Sequence, residues 1–312
     1  MAGEDPLSGL PLSARARMAE IRESGTWSSA LSTSEFAALR SAGFEPVGQV
    51  LGAAVYNIGF TGGYVCPGGW QVGRFGYGGM VASRTQVSGV GGMGSFAPLT
   101  RSMYEARRKA VSRMTEECLA LGGHGVVGVR LTFGHFALGG LEFNAIGTAV
   151  RGNGTAPPPK PFTSDLSGQD FAKLISSGWV PAGLAMGISV AARHDDWATV
   201  GQTRWGAGNT EVGGYTELVN LVRHDARVQL DADVARFGAE GVVVAVNDLK
   251  VSHRECPSQE GRKDHIAEAT MIGTAIARFT PSAASASAGV LPVLSLDPQR
   301  RQAARVRLGQ NR

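Results

Sequence analysis

At 312 residues the chain is long enough for two domains of ordinary size, and its 43% hydrophobic and 18% charged content is that of a globular protein. No apolar run approaches the roughly 20 residues of a membrane span, and residues 1–24 lack the basic start and apolar core of a signal peptide. The expected location is therefore the cytoplasm. The formal charge of +4 resides in residues 297–312, where Arg300, Arg301, Arg305, Arg307 and Arg312 stand against one acid, so the rest of the chain is neutral and does not read as a nucleic-acid-binding surface. Three cysteines, Cys66, Cys118 and Cys256, are too few and too scattered for a disulfide framework, and reduced thiols are expected.

Residues 1–31 read as an N-terminal arm with a short helical candidate, Ser13 to Glu23. A first domain is expected over 32–151. It opens with Ser32 and Glu35 in capping-box spacing, and FAALRSAGFEPVGQVLGAAV then reads as a short helix, a glycine stop and a strand. A Gly-rich loop, 59–96, follows; loops of this length are usually functional. The main helix carries Met103, Ala106, Ala110, Met114 and Cys118 at the spacing of one buried face, and Gly122 stands where a left-handed cap is wanted. Val126, Val127 and Val129 then form an apolar strand, and LEFNAIGTAV a further one.

The Gly- and Pro-rich segment 152–163 predicts a linker, and the whole pattern recurs over 164–279. At an offset of 135 residues Phe36 falls on Phe171 and Gly52 on Gly187. At an offset of 116 the helix stripe becomes Val219, Val222, Ala226, Leu230 and Val234, and the turn glycine becomes Gly238. At 126, Ile146 falls on Ile272 within the shared ending Ile-Gly-Thr-Ala. The continuous valines of 242–246, like those of 126–129, are the pattern of a strand covered on both faces. One helix covers one face, so something else must cover the other. Residues 280–312 read as a disordered linker and a short basic tail.

The segments EARRKAVSRM, ALGGHGVVGVRL and IGTAV in the first copy, with GGYTELVNLVRHDAR, FGAEGVVVAV and IGTAI in the second, resemble the YbjQ-like family, whose members are catalogued as heavy-metal-binding domains. The resemblance spans most of 36–150 and 171–276, which makes the chain a tandem two-domain member. It implies an α+β fold of two tandem dodecin-like β-α-β-β domains, each a small antiparallel sheet with one main helix on one face. It also implies ring-like homo-oligomers, which would supply the missing cover. The long Gly-rich loop, the two tails and the longer hairpin 248–265 lie outside the family pattern.

Of the candidate chemistry, the hairpin VSHRECPSQEGRKDHI offers His253, Cys256 and His265, a thiolate and two imidazoles suited to zinc or another divalent ion, with Glu255 or Asp264 as a fourth ligand. The alternative is a polar, solvated loop. Cys66, in YVCPGG, is a second thiol candidate for metal or redox chemistry, whereas Cys118 lies on the apolar helix face and reads as buried. His194, Asp195 and Asp196 read as a cation site or an acid/base cluster or, alternatively, as a loop whose Asp residues start a turn, and His124 as a solvated turn residue. Glu142 and Glu268 occupy matching positions, as do Arg107 and Arg223, and suggest an internal ion pair or an oligomer contact or, alternatively, carboxylates on the wet face of an alternating strand. GGMGSF and FGYGGM lack the context of a phosphate loop. The basic tail could hold an acidic partner through weak, salt-sensitive contacts. The sequence thus favours a non-enzymatic, self-assembling binding or scaffold protein, with metal binding as the alternative.

Overall fold

In a computed structural model of the chain, the residues described are 10–25, 28–57, 85–88, 96–136, 140–154, 157–256 and 261–279. Helix α1 spans Leu12–Ser24 and α2 spans Thr33–Ser41, the latter closed by the reciprocal Ser32–Glu35 capping box. Strand β1 is Phe44–Asn57, β2 is Thr85–Ser88, helix α3 is Ala97–Ala120, and strands β3 and β4 are Gly125–Phe136 and Gly140–Gly152. A two-residue strand β5, Phe162–Thr163, precedes helix α4, Gly168–Ser176, and strand β6, Trp179–His194. Helix α5 (Trp197–Gln202), helix α6 (Gly213–Arg236) and strands β7 (Gly241–Glu255) and β8 (Lys263–Arg278) complete the described chain. The fold is mixed α+β with two four-stranded sheets, ordered β1-β4-β3-β5 and β2-β6-β8-β7.

Both long helices lie against their sheets at a glycine. A Cβ on Gly52 would stand 1.9 Å from the Ala110 carbonyl oxygen, and one on Gly187 would stand 2.0 Å from that of Ala226. Only hydrogen at these positions lets the helix backbone approach so closely. Gly122 and Gly238, with φ of 70° and 63°, turn the chain out of α3 and α6 as the sequence predicts.

The second face of the second sheet is covered from within the chain at β6 and β8. Leu184, Met186 and Ile188 of β6 and Ile272 of β8 are buried in one cluster with Val50, Met103 and Tyr104 of the first half. Ala185, which alternates with them, and Ala191 further along β6 face α6 instead. This is the period-two alternation of a strand buried on both sides.

Two short segments cross between halves. Strand β2, within the segment 59–96 expected to be a Gly-rich loop, pairs antiparallel with β6, Thr85 opposite Arg193 and Ser88 opposite Val190. Strand β5 pairs in parallel with β3, Gly125 opposite Phe162 and Val126 opposite Thr163. Leu39, Val127, Val150, Leu166 and Phe171 form a cluster over that junction.

The two sheets are not equally enclosed. Val126, Val127 and Val129 of β3 are buried, whereas β7, the outer strand of its sheet, exposes Val243 (38%) and Val244 (45%). The expected cover of the second valine strand is therefore not supplied by the described residues. The described residues through Arg278 form one compact unit. Among them no helix is long and apolar enough to cross a membrane. The basic tail with its five arginines, Cys66 and both Gly-rich motifs apart from Phe96 lie outside the described residues.

Candidate metal centre

Strand alternation decides which side chains meet at the far end of the second sheet. In the β6–β8 register His194 lies opposite Asp264 and Arg193 opposite His265; in the β7–β8 register His253 lies opposite His265 and Arg254 opposite Asp264. His253 and His265 therefore share one face, and His194, Arg254 and Asp264 the other. Just past β7, the Cys256 N–H donates to the Arg262 carbonyl at 2.8 Å, and the Asp195 N–H donates to Lys263 at 3.0 Å, closing the end of the sheet.

Cys256 is buried and joins the second group. Ligand atoms of His194, Cys256 and Asp264 all lie within 4.8 Å of one another, and the three residues are 2%, 6% and 0% exposed. His194 Nδ1 lies 2.8 Å from Asp264 Oδ1, and the Arg254 guanidinium Nε is 3.9 Å from Asp264 Oδ2. An imidazole, a thiol and a carboxylate are a donor set that zinc accepts, so the residues fit such an ion in type and in closeness. Arg254 places a positive charge at the edge of the set, which works against a cation there.

The α6 face of the same strands holds a separate polar group. The Tyr215 hydroxyl lies 2.9 Å from His265 Nε2 and donates to Asp195 Oδ1 at 3.1 Å, while His265 Nε2 is also 3.2 Å from Asp195 Oδ1. Burial, together with the Asp195 carboxylate, pushes the Tyr215 phenol up to about 12. His253 lies beside this group, its ring centroid 6.1 Å from that of His265. Of the three hairpin residues predicted to share an ion, the structure thus pairs the histidines with each other and groups Cys256 with His194.

The remaining candidates separate cleanly. Asp196 caps α5, accepting the Thr199 N–H at 2.7 Å, which is the turn reading of that motif; His194 has a different, buried role. Cys118 is fully buried, and burial pushes its thiol up to about 12. His124 is half-buried rather than solvated: its Nδ1 accepts the Gly152 N–H at 3.2 Å. Glu240, at the matching position, accepts the Arg278 N–H at 3.2 Å. Arg107 is buried over the Phe143 ring; burial lowers its pKa, and the Glu268 carboxylate, in the other half, opposes that shift. The partners of His194 were hidden in sequence because they lie 62 and 70 residues away, and the β6–β8 register brings them to it.

Two sheets, each with one long helix seated on a glycine, and a buried thiol–imidazole–carboxylate group define a mixed α+β protein with metal-compatible residues. Over residues 74–153 the chain matches a family described as putative heavy-metal-binding. It is 34% identical over 230 residues to the encapsulin nanocompartment protein Rv1762c of Mycobacterium tuberculosis, a match covering 70% of this chain and 76% of that protein. Shorter matches reach UPF0145 proteins of Halorubrum lacusprofundi, 47% identical over 58 residues, and Clostridium perfringens, 42% identical over 57. These cover 19% and 18% of this chain, and the chain spans 56% and 54% of those relatives. The chain belongs to the YbjQ-like, UPF0145 family.

Proposed function

We propose that the protein is a non-enzymatic, cytoplasmic, self-assembling scaffold whose two dodecin-like domains, 32–151 and 164–279, build a ring-like homo-oligomer. The observation that carries this reading is the interface between the halves. One sheet face and one strand edge of the two halves are joined within the chain, and among the described residues the corresponding face of the first half and the outer edge of β7 are not joined in that way. The name of the Mycobacterium tuberculosis relative, an encapsulin nanocompartment protein, points the same way. The native mass of the freshly purified chain tests it: a discrete multimer is expected, and a monomer at micromolar concentration overturns it.

The second reading is metal binding, favoured by the buried His194, Cys256 and Asp264. These residues would hold a divalent ion such as zinc, with structural rather than hydrolytic chemistry, because a buried thiolate-containing set serves to tie strand ends together. One ion per chain, lost in Cys256→Ala and His194→Ala but kept in His253→Ala, is the expected result. Loss in His253→Ala and His265→Ala would return the ligands to the hairpin set. The basic tail is proposed to hold an acidic partner, and deletion after Pro281 is expected to abolish that binding while leaving the multimer intact.

A further inference from the structure

The repeat reaches further back than the first helix. Ser28-Ser29-Ala30-Leu31-Ser32 matches Thr163-Ser164-Asp165-Leu166-Ser167 at the same offset of 135 that relates Gly52 to Gly187. The two segments hold the same local conformation. Ser29 Oγ lies 3.3 Å from Thr148 Oγ1, the Ala30 N–H donates to Thr148 Oγ1 at 3.3 Å, and the Leu31 N–H donates to Ser29 Oγ at 3.1 Å. In the second half Ser164, Asp165 and Leu166 make the same three contacts, with Thr274 in place of Thr148, at 3.0, 3.1 and 3.2 Å. Each segment is thereby fixed to the last strand of its own half.

Their outer sides differ. The second segment pairs alongside β3: the Ser164 N–H donates to the Val126 carbonyl at 2.9 Å, and its own carbonyl accepts the Val129 N–H at 2.9 Å. The Leu166 carbonyl accepts the Gly128 N–H at 3.0 Å. Among the described residues, Ser29, Ala30 and Leu31 make no backbone pairing of this kind. The matching edge on the second half is the exposed side of β7, where Val242, Val244 and Ala245 correspond to Val126, Gly128 and Val129.

The contrast continues across the surface. Phe171 is fully buried against the first half, while its counterpart Phe36 is only half-buried. Leu184, Met186 and Ile272 are buried at the junction, while Gln49, Leu51 and Ile146 line an open groove with α1 as one wall. Arg107 is buried, with the Glu268 carboxylate of the other half opposing the lowering of its pKa, while its counterpart Arg223 is exposed.

We infer that Ser28–Leu31 of one copy adds in parallel to the outer edge of β7 of a second copy, repeating head to tail the contact that joins the two halves. The inference rests on the self-assembly reading and names its interface. The occupant is a second copy of this chain because both open surfaces belong to it, and each is the counterpart of a surface already joined. The Ser29 N–H then meets the Val242 carbonyl, and the Ala245 N–H meets the Ser29 carbonyl. A head-to-tail contact of this kind is heterologous, and it closes into a ring or runs on as a filament.

In the intrachain contact Val126 lies opposite Thr163, so Val242 lies opposite Ser28 of the neighbour. Adjacent strands are about 4.8 Å apart, within reach of a disulfide. The test is mild oxidation of the full chain carrying Ser28→Cys and Val242→Cys, read on a non-reducing denaturing gel beside its native mass. A ladder of cross-linked chains is expected from the double variant, and dimers but nothing larger from a mixture of the two single variants. Ala245→Pro, which removes an edge N–H, is expected to reduce the multimer to single chains with unchanged circular dichroism. A double variant that assembles yet yields no cross-linked species overturns the interface and leaves self-assembly standing. A wild-type chain that is monomeric overturns both.

Discussion

Leu51 donates its backbone N–H to the Glu117 carboxylate at 2.8 Å, and Met186, at the same place in the second half, donates to Asp233 at 3.1 Å. Each carboxylate comes from the long helix and satisfies a strand N–H that points away from the sheet's own ladder. In the first half Arg17 of α1 pairs with the same carboxylate, and Arg113 bonds the Ala53 carbonyl beside it. The edge of β1 is thus held by side chains where a further strand would otherwise pair.

Glu117→Leu is expected to destabilise the fold by about 2 kcal/mol, because it leaves a buried N–H without an acceptor; Glu117→Gln should cost less. Burial raises the Glu117 carboxyl above its ordinary range, outweighing the Leu51 N–H and Arg17. A raised carboxyl favours the fold most at pH below the unfolded value, and that contribution is lost as pH rises through the folded value. Wild type should therefore gain stability relative to Glu117→Gln as pH falls from 7 towards 4. Denaturant titrations of both proteins at several pH values check the sign, and a gap that widens the other way refutes the assignment.

Gly52→Ala and Gly187→Ala should each destabilise by about 3 kcal/mol or more, since the new carbon meets a helix carbonyl rather than a mobile side chain. Gly213→Ala, whose Cβ meets nothing within 4 Å, is the matched control and should be close to neutral. Thermal melts of the three variants decide it, and a mild Gly52→Ala would show that α3 can shift outward.

Much of this framework was legible because each half spells it separately. The stripe from Met103 to Cys118, the turn glycine Gly122 and the valines after it recur at one offset, and all fall in the elements they predict. What the sequence hid depends on long-range register. His194 read as part of a cation site or a turn with Asp195 and Asp196, and its actual neighbours Asp264 and Cys256 reach it only when β6 and β8 pair. The valines of β7 read as a doubly covered strand, yet Val243 and Val244 are exposed, since composition records that a cover is needed but not which surface supplies it. The segment Ser28–Leu31 has too few apolar residues to announce a strand, and its match to 163–166 became visible through Thr148 and Thr274.

Cys118 should resist alkylation in the native protein. Its side chain is fully buried, its Sγ donates to the Gly125 carbonyl at 3.4 Å, and burial pushes its thiol up to about 12. At pH 8 almost none is thiolate, the reactive form. Iodoacetamide followed by peptide mass mapping should leave Cys118 unmodified until denaturant is added. Labelling of the native chain at the rate of the unfolded one would show that α3 opens locally.

Tyr104 ties the first half to the second through its hydroxyl. The Ile188 N–H donates to it at 2.7 Å, and burial pushes the phenol up to about 12. Tyr104→Phe keeps the ring in place but leaves that N–H without its acceptor, at a cost of about 1 to 2 kcal/mol. In the unfolded chain a tyrosine ionises near 10. Between about pH 10 and 12 the unfolded state therefore sheds a proton that the folded state keeps, and wild type loses stability as pH rises through that window. Tyr104→Phe removes this contribution, so its stability should fall less steeply with alkali although it starts lower. Denaturation curves from pH 9 to 11.5, with tyrosinate absorbance recorded alongside, measure both effects. Parallel curves would mean that Tyr104 ionises at its ordinary value and that water reaches the seam between the halves.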